Sequence, residues 1–204
     1  MSYSIPASLT PPLANFLPNL ESGNDITSPR QNLVYANQGA GYVYFQANFA
    51  NLDDDGSGTG AGDSSHQSSL SIGDGIDANQ VSYGVLPYDL AKDLGIKLGD
   101  VGVAVRNGIA ITMFLADHSS NPGETDTEFT GELSLFAFRE LGEERIKDDG
   151  TIENEGMSGP VGYIWFPGSA PKLRDENGWL PLEEFLQAIH DAAVPLATSL
   201  GVQF

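Results

Sequence analysis

Apolar positions along this chain come in short runs, each closed by glycine, proline or an acidic cluster. Such punctuation predicts strands separated by turns rather than a helical bundle. From Asn32, the segment NLVYANQGAGYVYFQANFANL is broken at Gly39 and Gly41, which predicts two strands joined by a turn. Val81 to Pro87 (VSYGVLP) predicts another strand, and Tyr88 to Leu94 a short helix stopped by Gly95. In GDVGVAVRNGIAITMFLADH, Val101, Val103 and Val105 alternate up to Asn107-Gly108, a dipeptide suited to the positive-φ positions of a type I′ hairpin.

Further on, Leu133, Phe136, Ala137 and Glu140 stand at helical spacing, predicting a helix over 132–141 with Gly142 as its stop. VGYIWFPG, from Val161 to Gly168, reads as a buried strand. Pro181 suits the first turn of a C-terminal helix, over 181–194, whose Leu182, Phe185, Leu186 and Ile189 share one face. Residues 1–30, rich in Pro, Ser and Asn, are expected to form an irregular arm, and 31–204 a single domain without internal repeats. The expected fold is mainly β (α+β): a barrel-like sheet with short helices and a C-terminal helix.

Composition narrows the functions open to such a fold. The 204 residues are 40% hydrophobic, enough to build a core. A net charge of −19, from 28 acidic against 9 basic side chains, repels nucleic acid and anionic membrane and favours cationic partners. With no cysteine there is no disulfide, thiol nucleophile or thiolate metal site, and the three histidines offer little imidazole ligation. The first twenty residues carry no basic n-region and no continuous apolar core, so no export signal is expected and localisation is left open.

Three candidate chemistries remain. Asn51, Asp53, Asp55 and Gly56 form N-x-D-x-D-G, the first half of a calcium loop, but the twelfth position holds Gly62 instead of Glu. An acidic turn bonded to its own backbone accounts for the same residues. Asp117 closes the apolar run IAITMFLA, and Glu132 precedes LSLFAF. Two carboxyls on rigid elements are the minimum equipment for acid/base hydrolysis of a glycosidic bond. On spacing alone, a strand-end cap and a helix N-terminal carboxylate are the preferred explanation. His118, beside Asp117, is a candidate substrate contact or a surface imidazole.

Four segments in order resemble the family 75 glycoside hydrolases, the fungal-type chitosanases: YFQANFANLDDDG, VSYGVLP, GDVGVAVRNG with MFLAD and GELSLFAFRELG, and VGYIWFPGSA. They span about residues 40 to 170. The resemblance is to a divergent member. Asp117 is followed by the long HSSNPGETDTEFT where relatives have a short turn, Asn51 replaces an Asp, and a cysteine of fungal members is missing.

The resemblance implies that Glu132 is the general acid and Asp117 the base of an inverting, endo-acting hydrolase of β-1,4-linked chitosan, a polysaccharide-degrading enzyme that needs no cofactor. It also implies a fold akin to a double-psi barrel. Glu124, Asp126 and Glu128 are then candidates to meet substrate ammonium groups, with His118 and Trp179 as further substrate contacts. Tyr163 and Trp165 are offered too, though their hydrophobic strand favours core for at least one. The chain is expected to act as a monomer on a cationic polysaccharide, with calcium as a weaker expectation. Two alternatives stay open: a non-catalytic acidic binding module, calcium-dependent or not, and a hydrolase of another aminosugar polymer such as peptidoglycan.

Overall fold

A computed structural model describes residues 33–39, 41–56, 71–72, 76–123, 131–148, 150–153 and 156–202. The arm expected over 1–30 and the loop acids Glu124, Asp126 and Glu128 lie outside them. In chain order the elements are β1 (Leu33–Gly39), β2 (Tyr42–Asp53), β3 (Gly84–Leu86), α1 (Tyr88–Leu94), β4 (Val101–Arg106) and β5 (Ile109–His118). They continue as β6 (Glu132–Ser134), α2 (Leu135–Glu140), β7 (Met157–Trp165), β8 (Arg174–Asp175), β9 (Gly178–Trp179) and α3 (Leu182–Ser199). The protein is mainly β, as its punctuated pattern predicts.

Seven strands form one sheet in the order β1-β2-β6-β3-β5-β4-β7, and an extra β2–β7 pairing brings its far edge back to β2. The sheet therefore curls into a barrel-like surface. Two neighbour pairs, β2–β6 and β3–β5, are parallel, and the rest are antiparallel. The β4–β5 hairpin turns at Asn107 and Gly108 with φ of 50° and 80°, the backbone that the Asn-Gly dipeptide predicts. β8 and β9 make a separate two-stranded ribbon too short for any periodicity to announce.

Side-chain alternation separates two cores. One takes residues from every strand of the curled circuit, among them Ala50, Leu86, Ala104, Met113, Leu115, Leu133, Tyr163 and Trp165, and so fills the inside of the curl. The other, including Tyr83, Val85, Val103, Phe114 and Ile164, is covered by Phe185, Ile189, Ala193 and Ala197 along one side of α3. Gly102 shows how tightly the layers meet, since a Cβ there would lie 2.7 Å from the Ile164 carbonyl oxygen and 2.8 Å from the Trp165 ring.

Three elements depart from the pattern. VSYGVLP pairs only over Gly84–Leu86. The backbone before it is committed elsewhere, because the Tyr83 N–H and the Val81 carbonyl both bond the Ser134 hydroxyl. The helix expected over 132–141 begins at Leu135, since Glu132–Ser134 is drawn into the sheet between β2 and β3. Leu133 belongs to the sheet interior rather than to a helix face. The C-terminal helix runs on through Pro195 to Ser199, and Leu182, placed on its apolar face by spacing, is 43% exposed. Among the described residues no helix is long and apolar enough to cross a membrane.

Candidate functional site

Strand register brings the two candidate carboxylates into one row. Glu132 stands opposite Asn51 on β2 and opposite Val85 on β3, and Val85 in turn stands opposite Asp117 on β5. The row is Asn51–Glu132–Val85–Asp117. Residues directly opposite one another in adjacent strands project to the same side of the sheet. Two interstrand spacings of about 4.7–4.9 Å put the Glu132 and Asp117 backbones about 10 Å apart, with the valine between.

A register irregularity is what includes Asp117. Gly84 pairs with Leu115, but Val85 pairs with Asp117, so Ala116 is an extra residue on β5. Leu115 faces the inner core with Leu133. Regular alternation would send Asp117 to that same side. The extra residue re-aims it beside Val85, as irregularities at strand ends commonly do. A contact from another segment agrees: the Ser71 hydroxyl donates to Asp117 Oδ1 at 2.6 Å, and Ile72, next along, packs against the core that contains Val85.

Asp117 is held through one oxygen. Oδ1 accepts from Ser71 and from the His118 N–H at 2.7 Å, while Oδ2 accepts nothing from the described residues. That free oxygen is available to a water or a substrate hydroxyl. Glu132 is half-buried at the start of β6. Its charge reaches the buried Tyr163 hydroxyl, whose pKa is raised first by burial and second by Glu132.

Behind the row, the fully buried Ser134 hydroxyl anchors β6. It donates to the Val81 carbonyl at 2.6 Å and accepts from the Tyr83 N–H and the Ala137 N–H, each at 3.2 Å, the last as the N-cap of α2. Ser134 stands opposite Asp53. Asp53 Oδ1 accepts from the Tyr83 hydroxyl at 2.7 Å and from the Asp55 N–H at 2.9 Å. Burial raises the Asp53 pKa; those two hydrogen bonds pull it down, and the charges of Asp55 and Asp54 push it up again. Asp53 is thus a carboxyl with a raised pKa two positions along β2 from Asn51, and its bond from the Asp55 N–H is the acidic turn bonded to its own backbone that the sequence offers beside a calcium ligand.

The calcium pattern takes a different form from a ligand loop. Asn51 and Asp53 lie within β2, and only Asp55 occupies the turn after it. Among the described residues no group of three or more His, Asp or Glu side chains is placed to hold a metal ion.

His118 sits where β5 ends, its Nδ1 3.2 Å from the Leu86 carbonyl oxygen and its ring edge-on to Tyr88 at 5.2 Å. Tyr163 and Trp165 are both wholly buried and offer no face to a sugar. The substrate contact expected of Trp179 meets a packed ring: the Arg174 guanidinium covers it at 4.4 Å and Phe185 approaches its edge at 6.3 Å. Its place is against the α3 core, where it closes the β8–β9 ribbon. A cavity of about 660 Å³ lies away from the row, between α3, α2 and the start of β5. Compared with known proteins, the chain matches no family model and no curated sequence.

Proposed function

We propose that this protein is a glycoside hydrolase that cleaves β-1,4 linkages within chitosan by single displacement with inversion. Glu132 is the general acid and Asp117 the general base, roles that come from the family 75 resemblance. The observation that carries the reading is the row Glu132–Val85–Asp117, in which both carboxylates share a side of the sheet with one apolar residue between them. Inverting hydrolases need carboxyl groups about 6.5–9.5 Å apart so that a water fits beside the sugar, whereas retaining enzymes hold them at about 5–5.5 Å. Backbones about 10 Å apart suit the wider spacing.

In the reaction, the glycosidic bond lies between the Glu132 and Asp117 carboxyl groups. Protonated Glu132 gives its proton to the leaving oxygen as the C–O bond breaks. Asp117, through Oδ2, removes a proton from the water whose oxygen bonds to the anomeric carbon from the opposite face. The net charge of −19 favours encounter with a polycationic polymer, and no cofactor enters the step.

Reducing-end release from chitosan by wild type, Asp117→Asn and Glu132→Gln tests the assignment. Each variant should lose at least about a hundredfold, the usual worth of a positioned acid or base. Wild-type inactivity across pH 4 to 8 would leave the acidic binding module as the reading. Activity retained by either variant would remove that residue from the chemistry. The first-formed anomer, followed by NMR, separately decides inversion.

A further inference from the structure

Where α1 turns back toward β4, a cavity of about 440 Å³ is lined among others by Tyr88, Lys92, Ile96, Lys97, Leu98 and His118. That size lies within the range of about 300–1,000 Å³ typical of small-ligand sites. Its charge runs against that of the whole chain. Among the described residues no carboxylate lines it, although the sequence holds 28 acidic side chains against 9 basic ones. Other described cations are engaged: Arg106 and Arg145 on Glu143, Lys147 on Glu153, Arg139 on Asn79, and Arg174 over the Trp179 ring. Lys92 and Lys97 form no ion pair among the described residues, not even with Asp89, one helical turn before Lys92.

Hydrogen bonds fix the frame that carries these free charges. Gly95, at φ 73°, ends α1 in the left-handed conformation, its N–H bonded to the Lys92 carbonyl and the Ile96 N–H to the Ala91 carbonyl. The chain reverses there, so the lysines before and after the turn line one cavity. The Lys97 N–H donates at 2.8 Å to Oδ2 of the buried Asp100, whose carboxylate also takes the Gly168 and Ala170 N–H groups. Asp100 is thus satisfied by backbone donors and leaves both ammonium groups uncompensated. His118 Nδ1–H donates to the Leu86 carbonyl at 3.2 Å, which leaves Nε2 for a ligand. Ile96 is buried and Leu98 half-buried against the inner core, and the half-buried Tyr88 ring stands edge-on to His118.

We propose that this cavity binds a phosphate monoester with a small apolar or aromatic body. Two ammonium groups match the charge of about −1.5 to −2 that a phosphate monoester carries at pH 7. His118 Nε2 shares a proton with a phosphate oxygen, while Ile96, Leu98 and the Tyr88 ring receive the body of the ligand. The site stands apart from the glycoside hydrolase reading and uses neither of its carboxylates.

Full-length protein is titrated by NMR with phenyl phosphate, benzoate, inorganic phosphate and benzyl alcohol, following the Tyr88 and His118 ring signals. Phenyl phosphate should move them saturably and bind tightest. Benzyl alcohol should bind at least about tenfold more weakly, the effect of two charges about 4 Å from an anion in wet surroundings. Benzoate, with one charge, and inorganic phosphate, with no body, should each fall between. Lys92→Gln/Lys97→Gln, whose folding is checked by its melting temperature, should lose the same tenfold or so for phenyl phosphate and nothing for benzyl alcohol. Lys172→Gln, outside the lining, should leave every affinity unchanged. Absence of a saturable shift, benzyl alcohol, benzoate or inorganic phosphate binding as tightly as the ester, or an unaffected double variant overturns the proposal. So does an equal loss in Lys172→Gln, which would mark diffuse surface charge.

Discussion

Replacing Ser134 by alanine removes a single oxygen that three backbone groups depend on. The hydroxyl caps α2 through the Ala137 N–H, receives the Tyr83 N–H and gives its proton to the Val81 carbonyl, all at a position with no solvent exposure. Loss of a serine N-cap costs about 1 kcal/mol, and a buried N–H left without an acceptor costs about 1–3 kcal/mol. The sum is about 2–4 kcal/mol, or about 5–12 °C in Tm at the slope usual for a chain of this length. A thermal melt by circular dichroism, with a urea titration to confirm an unchanged m-value, reads it directly. Ser134→Cys, near in shape but a weak acceptor, should fall between wild type and alanine. Activity below the melting range should drop too, because β6 carries Glu132 only two residues before the anchor. An alanine variant melting within about 1 °C of wild type would refute the idea that this hydroxyl fixes the sheet-to-helix junction.

Asp53 gives a pH-dependent counterpart. Its folded pKa lies above the ordinary 3.8 because of burial, so its contribution to stability is full below that value and is lost as pH rises through the folded pKa. Asp53→Asn, whose amide oxygen keeps both hydrogen bonds, should therefore melt higher than wild type at pH 7 and equally at about pH 3; a lower melt at pH 7 would reverse the sign. Asp100, 1% exposed, accepts from the Lys97 and Gly168 N–H groups on Oδ2 and from Ala170 on Oδ1. Asp100→Asn should cost about 1–3 kcal/mol in a denaturant titration, since its amide group turns a donor toward a backbone donor. Calcium at millimolar concentration should leave Tm within about 1 °C, and a saturable rise would instead place the ion on Asn51, Asp53 and Asp55.

Much of the fold is legible in the sequence because local rules decide it. Asn107-Gly108 fixes a hairpin, Gly95 ends α1 in the left-handed conformation, and glycines at 39 and 41 separate β1 from β2. Where the reading slipped, a distant partner had overridden local preference. Leu133 fits a helical face as well as a strand face, and only β2 and β3 on either side of it settle the matter. Ser82 and Tyr83 have strand character, yet their neighbourhood is organised around a serine 51 residues away from Tyr83. The Arg174 guanidinium over the Trp179 ring is likewise a contact that no pattern in the sequence announces.

The same distinction governs the site. Asp117 and Glu132 are identifiable as carboxylates at the ends of apolar runs, but whether they can act together is a question of register. Strict alternation through Phe114, Leu115 and Ala116 sends Asp117 inward with Leu115, on the side away from Glu132. The extra residue opposite β3 reverses that placement, and no periodicity reports it, because the pairing partner Val85 lies 32 residues earlier. Catalytic competence in this reading thus depends on one backbone irregularity at Ala116 rather than on the two acids alone. It also divides the end of β5: Asp117 joins the row with Val85 and Glu132, while His118, opposite Leu86, lines the cavity that Lys92 and Lys97 also line. One strand end therefore presents a carboxylate and an imidazole to opposite sides of the sheet, Asp117 with Val85 and His118 with Leu86.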